Sequence, residues 1–117
     1  MHERILIARD GEVSLRIART CQRLGVTAIG VVNQGDEGGV HLESCDEVQE
    51  IHRGDDADSW AQAIVRAAKA SKADAVHPGY RGGRASVALL RALEAADIPC
   101  VGPDADALHA LESAETF

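Results

Sequence analysis

The chain has 117 residues, 45% hydrophobic and 26% charged, the length and balance of one globular domain with one core. A net charge of −7 with no basic stripe in the sequence disfavours a nucleic-acid-binding surface, which needs Lys and Arg gathered against phosphates. The first apolar run, Ile5 to Ala8, is too short for a signal peptide, and no run approaches the roughly twenty apolar residues of a membrane span, so a soluble cytoplasmic protein is expected.

Aromatic residues are limited to Trp60, Tyr80 and Phe117, which leaves the core to Ala, Val, Ile and Leu, the palette of helices on a buried parallel sheet. Arg4 to Ala8 reads as a first, central strand closed by Arg9 and Asp10. Val13, Ile17, Cys21 and Leu24 then recur at helical spacing until Gly25 ends the pattern. Thr27 to Val32 is a second strand, followed by a loop from Asn33 to Gly39. Glu47 to Ile51 alternates and predicts a third strand near an edge.

Asp58 or Ser59 can cap a second helix running to about Lys72, with Trp60, Ile64, Ala67 and Ala68 turned inward. Asp74 to His77 predicts a fourth strand, cut off by Pro78 and Gly79. A helix from Ser86 places Val87, Leu90 and Leu93 inward, Pro99 to Val101 is a short fifth strand, and Pro103 opens a last helix through Leu111. This alternation predicts a single α/β domain over 1–117: a doubly wound, Rossmann-like (flavodoxin-like) parallel sheet of about five strands with helices on both faces.

In such a sheet, ligands bind beyond the carboxyl ends of the strands. The loop after the first strand, Arg9-Asp10-Gly11-Glu12, has one glycine and lacks the spaced glycines of a dinucleotide site. Asp10 and Glu12 there suit an acid pair or a helix start equally. The most unusual segment is His77-Pro78-Gly79-Tyr80-Arg81-Gly82-Gly83-Arg84. Its glycines let backbone amides turn toward an anion, and two arginines add charge before a helix N-terminus, so Arg81, Gly82, Gly83 and Arg84 are candidate anion-binding residues. The competing reading of the same segment is a solvent loop that needs glycine to turn. Cys21, Cys45 and Cys100 are widely spaced and read as reduced thiols, and no metal site is expected. A receiver-type phosphoacceptor site is excluded because the third strand ends in Ile51-His52-Arg53.

The sequence resembles the N-terminal, pre-ATP-grasp domain of biotin carboxylase. Ile5-Leu6-Ile7-Ala8-Arg9-Asp10-Gly11-Glu12-Val13 with Arg16, Ile17 and Arg19 is similar to the family's I-L-I-A-N-R-G-E-I-A-x-R-I-x-R. His41 with Asp46-Glu47 is similar to H-x-x-x-A-D-E, His77-Pro78-Gly79-Tyr80 to H-P-G-Y, and Val101-Gly102-Pro103 to I-G-P. The resemblance implies a ligase in which MgATP activates bicarbonate and the carboxyl group passes to N1′ of biotin. It also implies that ATP, Mg and biotin belong to the parent enzyme and that none is bound by this chain alone. The domain is then one wall of a cleft, with His77, Pro78, Gly79 and Tyr80 in the cleft loop and no catalytic residue of its own. Its expected partners are an ATP-grasp domain, carboxylase subunits or a second copy meeting at Arg16 and Arg19. ATP-grasp and C-terminal domains are expected to be absent from 1–117, with docking to them through a patch near Leu108 and Leu111.

Departures from the pattern support an alternative, a free-standing degenerate homologue acting as a binding or regulatory module. Where the family continues G-F-L-S-E-N, this chain has Arg81-Gly82-Gly83-Arg84-Ala85-Ser86. Where the family's M-G-D-K supplies a phosphate-binding lysine, it has Leu111-Glu112-Ser113-Ala114, whose methyl carries no charge. Arg23 stands where an acid is usual. A third reading is an unrelated flavodoxin-like anion binder, which rests on fold analogy alone.

Overall fold

The structure, a computed structural model, describes residues 3–8, 11–34, 44–52, 56–78 and 84–101. Its elements in chain order are β1 (Arg4–Ile7), α1 (Gly11–Arg23), β2 (Thr27–Asn33), β3 (Glu47–Ile51), α2 (Ala57–Ala70), β4 (Ala75–His77) and α3 (Arg84–Ala95). The strands form one parallel sheet in the order β3-β2-β1-β4. The α/β architecture with a central first strand is as expected. The fifth strand is reduced, among the described residues, to a single parallel bridge between Val76 and Cys100. Pro99 has no N–H to give a ladder, and its carbonyl accepts from Val76 instead.

Parallel partners in register point to the same face, so the alternation along β1 sorts the core into two halves. Leu6 and Ala8, with Ile29, Val31 and Val76, meet Trp60, Ile64 and Ala68 of α2 and Leu89 and Leu93 of α3. Ile7 and Ala28 meet Ala18 and Cys21 of α1 on the opposite face, with Ile5 and Ile17 partly buried beside them. Helices therefore lie on both faces.

Several boundaries move from the sequence expectation for local reasons. The N-cap of α2 is Asp56, whose Oδ1 accepts the Ser59 N–H at 2.7 Å, so the helix starts before Asp58 and Ser59. It ends at Ala70, because Ser71 closes it with its N–H on the Ala67 carbonyl and Lys72 turns to φ 59°. The third helix starts at Arg84, two residues before Ser86, and buries Leu89 fully while Val87 stays partly exposed. Gly25 ends α1 at φ 74°, as the pattern predicts. Leu24, expected on the inward face of α1, is instead 70% exposed, because the helix has already ended at Arg23 and the chain is turning. Among the described residues no helix is long and apolar enough to cross a membrane.

Candidate functional site

The strand order reverses between β1 and β4: the chain moves from β1 to β2 on one side and returns to β4 on the other. The crevice at the carboxyl ends of these two strands is where an open sheet places a ligand. β1 and β4 are joined there by the Ala8 N–H on the His77 carbonyl at 2.9 Å. The next helices in the chain after these strands are α1, from Gly11, and α3, from Arg84.

His77 lies at this crevice, 7% exposed, with Pro78 buried next to it. It pairs in register with Ile7, so its ring belongs to the α1 side of the sheet. Burial pushes the His77 imidazole below its ordinary value, which keeps it neutral at physiological pH. A buried neutral ring serves as a wall or hydrogen-bonding group and is poorly placed to exchange protons with water. Gly79, Tyr80, Arg81, Gly82 and Gly83, and the side chain of Arg84, lie outside the described residues, as do His41, Leu108, Leu111 and Ala114. What the structure adds at the glycine-arginine loop is that α3 begins at Arg84 itself.

Arg16 and Arg19 stand one helical turn apart on the exposed side of α1. Thr20 donates its hydroxyl to the Arg16 carbonyl at 3.1 Å and accepts from Arg23 Nη2 at 3.1 Å, so Arg23 joins them on one basic surface. Arg16 and His77 border a common cavity, whereas Arg19 belongs to a second depression with Gln22 and Arg23.

The Asp46-Glu47 pair proves to be structural. Asp46 Oδ2 accepts the Ala28 N–H at 2.9 Å while the Asp46 N–H returns to the Ala28 carbonyl at 2.8 Å, fixing the approach to β3 against β2. Glu47 receives a two-pronged contact from Arg4, Nη1 to Oε2 at 2.6 Å and Nη2 to Oε1 at 2.7 Å. Arg4 also donates to the Ser71 carbonyl, and Asp74 accepts the Glu3 and Arg4 N–H groups. Glu47, hydrogen-bonded by Arg4, is held below the usual carboxylate range. This network ties β1, β3 and the end of α2 together at the amino ends of the strands, opposite the crevice. The sequence reading did not find it; four charged or polar residues flanking strand ends were the available signal.

No disulfide joins Cys21, Cys45 and Cys100. Burial, with Asp46 and Cys21 adding to it, pushes the Cys45 thiol up to about 11, and burial beside Glu94 does the same for Cys100. Both stay protonated near neutrality. The described residues contain no group of three or more His, Cys, Asp or Glu that could hold a metal ion. At the crevice, Ala8, His77 and Pro78 offer no ligand set for a magnesium nucleotide, so the described residues do not fit one.

The model for "Biotin carboxylase, N-terminal domain" matches residues 1–108. The chain belongs to the biotin carboxylase N-terminal domain family. The mitochondrial propionyl-CoA carboxylase alpha chain of Homo sapiens is 32% identical over 111 residues, covering 93% of this chain and 15% of that protein. The biotin carboxylase domain of a single-chain bacterial carboxylase is 35% identical with a TM-score of 0.76, covering 92% of this chain and 25% of that one. A Hydrogenobacter thermophilus 2-oxoglutarate carboxylase biotin carboxylase domain dimer, in complex with MgADP, ADP and bicarbonate, is 27% identical with a TM-score of 0.77, covering 93% of this chain and 24% of that one. The family expectation from the motifs is therefore correct. The chain spans about a quarter or less of the curated relatives it matches.

Proposed function

We propose that this domain works as the N-terminal unit of an ATP- and biotin-dependent carboxylase, forming one wall of the carboxylation cleft, with nucleotide chemistry supplied by residues outside it. The observation that carries this reading is the family match over 1–108 combined with the character of the crevice. Its described wall is Ala8, a buried neutral His77 and Pro78, groups that shape a cleft rather than move protons or bind phosphate. ATP, magnesium and biotin are then ligands of the whole carboxylase. Its partners are an ATP-grasp domain or carboxylase subunits, and a second copy meeting the exposed Arg16 and Arg19. When bound in such an assembly, MgATP would supply the activation of bicarbonate; the part of this chain is to orient and to exclude water at the cleft.

Calorimetric titration of the purified chain with MgATP, together with ATP cleavage assayed in bicarbonate and free biotin, tests the reading. No binding heat and no turnover are expected. Micromolar nucleotide binding by this chain would overturn it and assign the domain a nucleotide site of its own.

A second reading, a degenerate module that binds a small anion at Arg81, Gly82, Gly83 and Arg84, is favoured by the start of α3 at Arg84. The loop thus runs straight into a helix N-terminus. Titration with bicarbonate and with phosphate decides it. Binding lost in the Arg81→Ala, Arg84→Ala double variant would support the module; absence of binding, or binding unchanged in that variant, would remove it.

A further inference from the structure

The sheet sorts the three cysteines onto its two sides. Cys100 forms its bridge with Val76 and packs, like Val76, with the core under α2 and α3, and against Leu90 of α3. Cys21 is on the other side, 6% exposed in the cluster with Ile7, Ala18, Val26 and Ala28, and Cys45 packs partly buried against that same cluster. Of the pairings open to three thiols, Cys21 with Cys45 is the one that does not cross the sheet.

The residues on either side of Cys45 are tied to the neighbours of Cys21. Before it, the Ser44 carbonyl accepts from Gln22 Nε2 at 2.7 Å, and Gln22 directly follows Cys21. After it, Asp46 holds Ala28 through hydrogen bonds at 2.9 and 2.8 Å. Cys21 reaches the start of the same strand from α1, its carbonyl accepting the Val26 N–H at 2.8 Å. The last turn of α1 and the lead-in to β3 are therefore held against one another, with one thiol carried by each. The charge of Cys21 adds to burial and to Asp46 in keeping Cys45 protonated, as expected of neighbouring thiols.

We propose that Cys21 and Cys45 are a redox pair, which a low-molecular-weight disulfide such as oxidised glutathione converts into an intramolecular disulfide that locks the end of α1 to the approach to β3. Cys45, the less buried thiol, is the point of entry. Its thiolate attacks one sulfur of the small disulfide, forming a mixed disulfide and releasing one small thiolate. The Cys21 thiolate then attacks Cys45 Sγ, closing the protein bond and expelling the second small thiol. The two protein thiols together lose two electrons and two protons, and the small disulfide takes them up and leaves as two thiols. The first attack needs the Cys45 thiolate, which burial makes scarce, so closure is slow at neutrality and quickens about tenfold for each pH unit above it. The covalent loop encloses β2, on which both α1 and β3 lean, and so clamps the face of the sheet under α1. The pair rests on the placement of the thiols and not on any carboxylase chemistry.

Exposure of the reduced, intact chain to oxidised glutathione at mildly alkaline pH, followed by digestion without reductant and mass spectrometry, tests the pair. The expected product is a Cys21–Cys45 cross-linked peptide within one chain. It should form in Cys100→Ser and be lost in Cys21→Ser and in Cys45→Ser. The thermal midpoint of the oxidised wild-type chain should fall when dithiothreitol reopens the bond. In urea, where only loop length separates the pairings, the Cys45–Cys100 link should appear beside it. Glutathione remaining on Cys45 without closure, or a link through Cys100 in the folded chain, would overturn the pairing. Closure as selective in urea as in buffer would show that the fold does not direct it, and an unchanged thermal midpoint would remove the lock.

Discussion

The face of the sheet under α2 and α3 and the face under α1 are built from the same strands, yet their cores differ in kind. Under α2 and α3, Leu6, Ile29, Ile64, Val76, Leu89 and Leu93 are all fully buried, and large side chains from two helices meet large side chains from three strands. Under α1 the buried set is small, chiefly Ala18, Ala28, Cys21 and Ile7, and Ile5 and Ile17 are only partly covered beside an open cavity. A continuous apolar strand such as Ile5-Leu6-Ile7-Ala8 thus feeds two cores at once, one close-packed and one, among the described residues, less fully covered. Burial of a strand is therefore no measure of how well each of its faces is packed.

Substitutions that remove equal chemistry from the two faces should separate them most sharply. Ile64→Ala, in the closed face, is expected to cost about 3 kcal/mol of unfolding free energy in urea titration, because neighbours already at full density cannot collapse into the space. Ile17→Ala, in the open face, should cost about 1 kcal/mol, since that side chain is only partly removed from water. Equal losses at the two positions would show the faces to be packed alike.

The open face should also be the acid-sensitive one. The folded-state value of His77 is depressed by burial, so on acidification the unfolded chain takes up a proton first, near the ordinary value of 6.5. Stability is then constant above that pH with respect to this group and falls as the pH drops from about 6.5 toward the lower folded value. His77→Gln should remove that part of the slope, measured as the urea midpoint from pH 8 to pH 5 in both proteins; an unchanged slope would show that the ring titrates freely. The smallest effect belongs to Leu24→Ser, expected within about 0.5 kcal/mol because the side chain is 70% exposed. A larger loss would mean that the cavity beside Leu24 is more fully covered than α1 alone makes it.

Much of the fold was legible because periodicity and terminators act locally. The first strand, the α1 pattern ending at Gly25, the edge position of β3 and the inward stripe of Trp60, Ile64, Ala67 and Ala68 all follow from residue spacing. The fold family was legible as well, through His77-Pro78 and the opening strand motif, with the match extending over 1–108. Other features were not. Leu24 continues the heptad-like spacing of α1, but whether its turn is still helical depends on where the chain must leave for β2. The cap of α2 fell to Asp56 rather than Asp58 or Ser59, since several acids and a serine in a row are interchangeable until backbone direction selects one.

The candidate site divides along the same line. The sequence by itself determined the type of each element and the place of His77 at a strand end, because each depends on neighbours close in the chain. Only the tertiary structure decided that Asp46 and Glu47 brace the sheet through Ala28 and Arg4, contacts 18 and 43 residues away in sequence. Only it buried His77 far enough to hold the ring neutral and placed Arg16 across a cavity from it. These are consequences of parallel strands from distant parts of the chain coming into register, which no local pattern encodes.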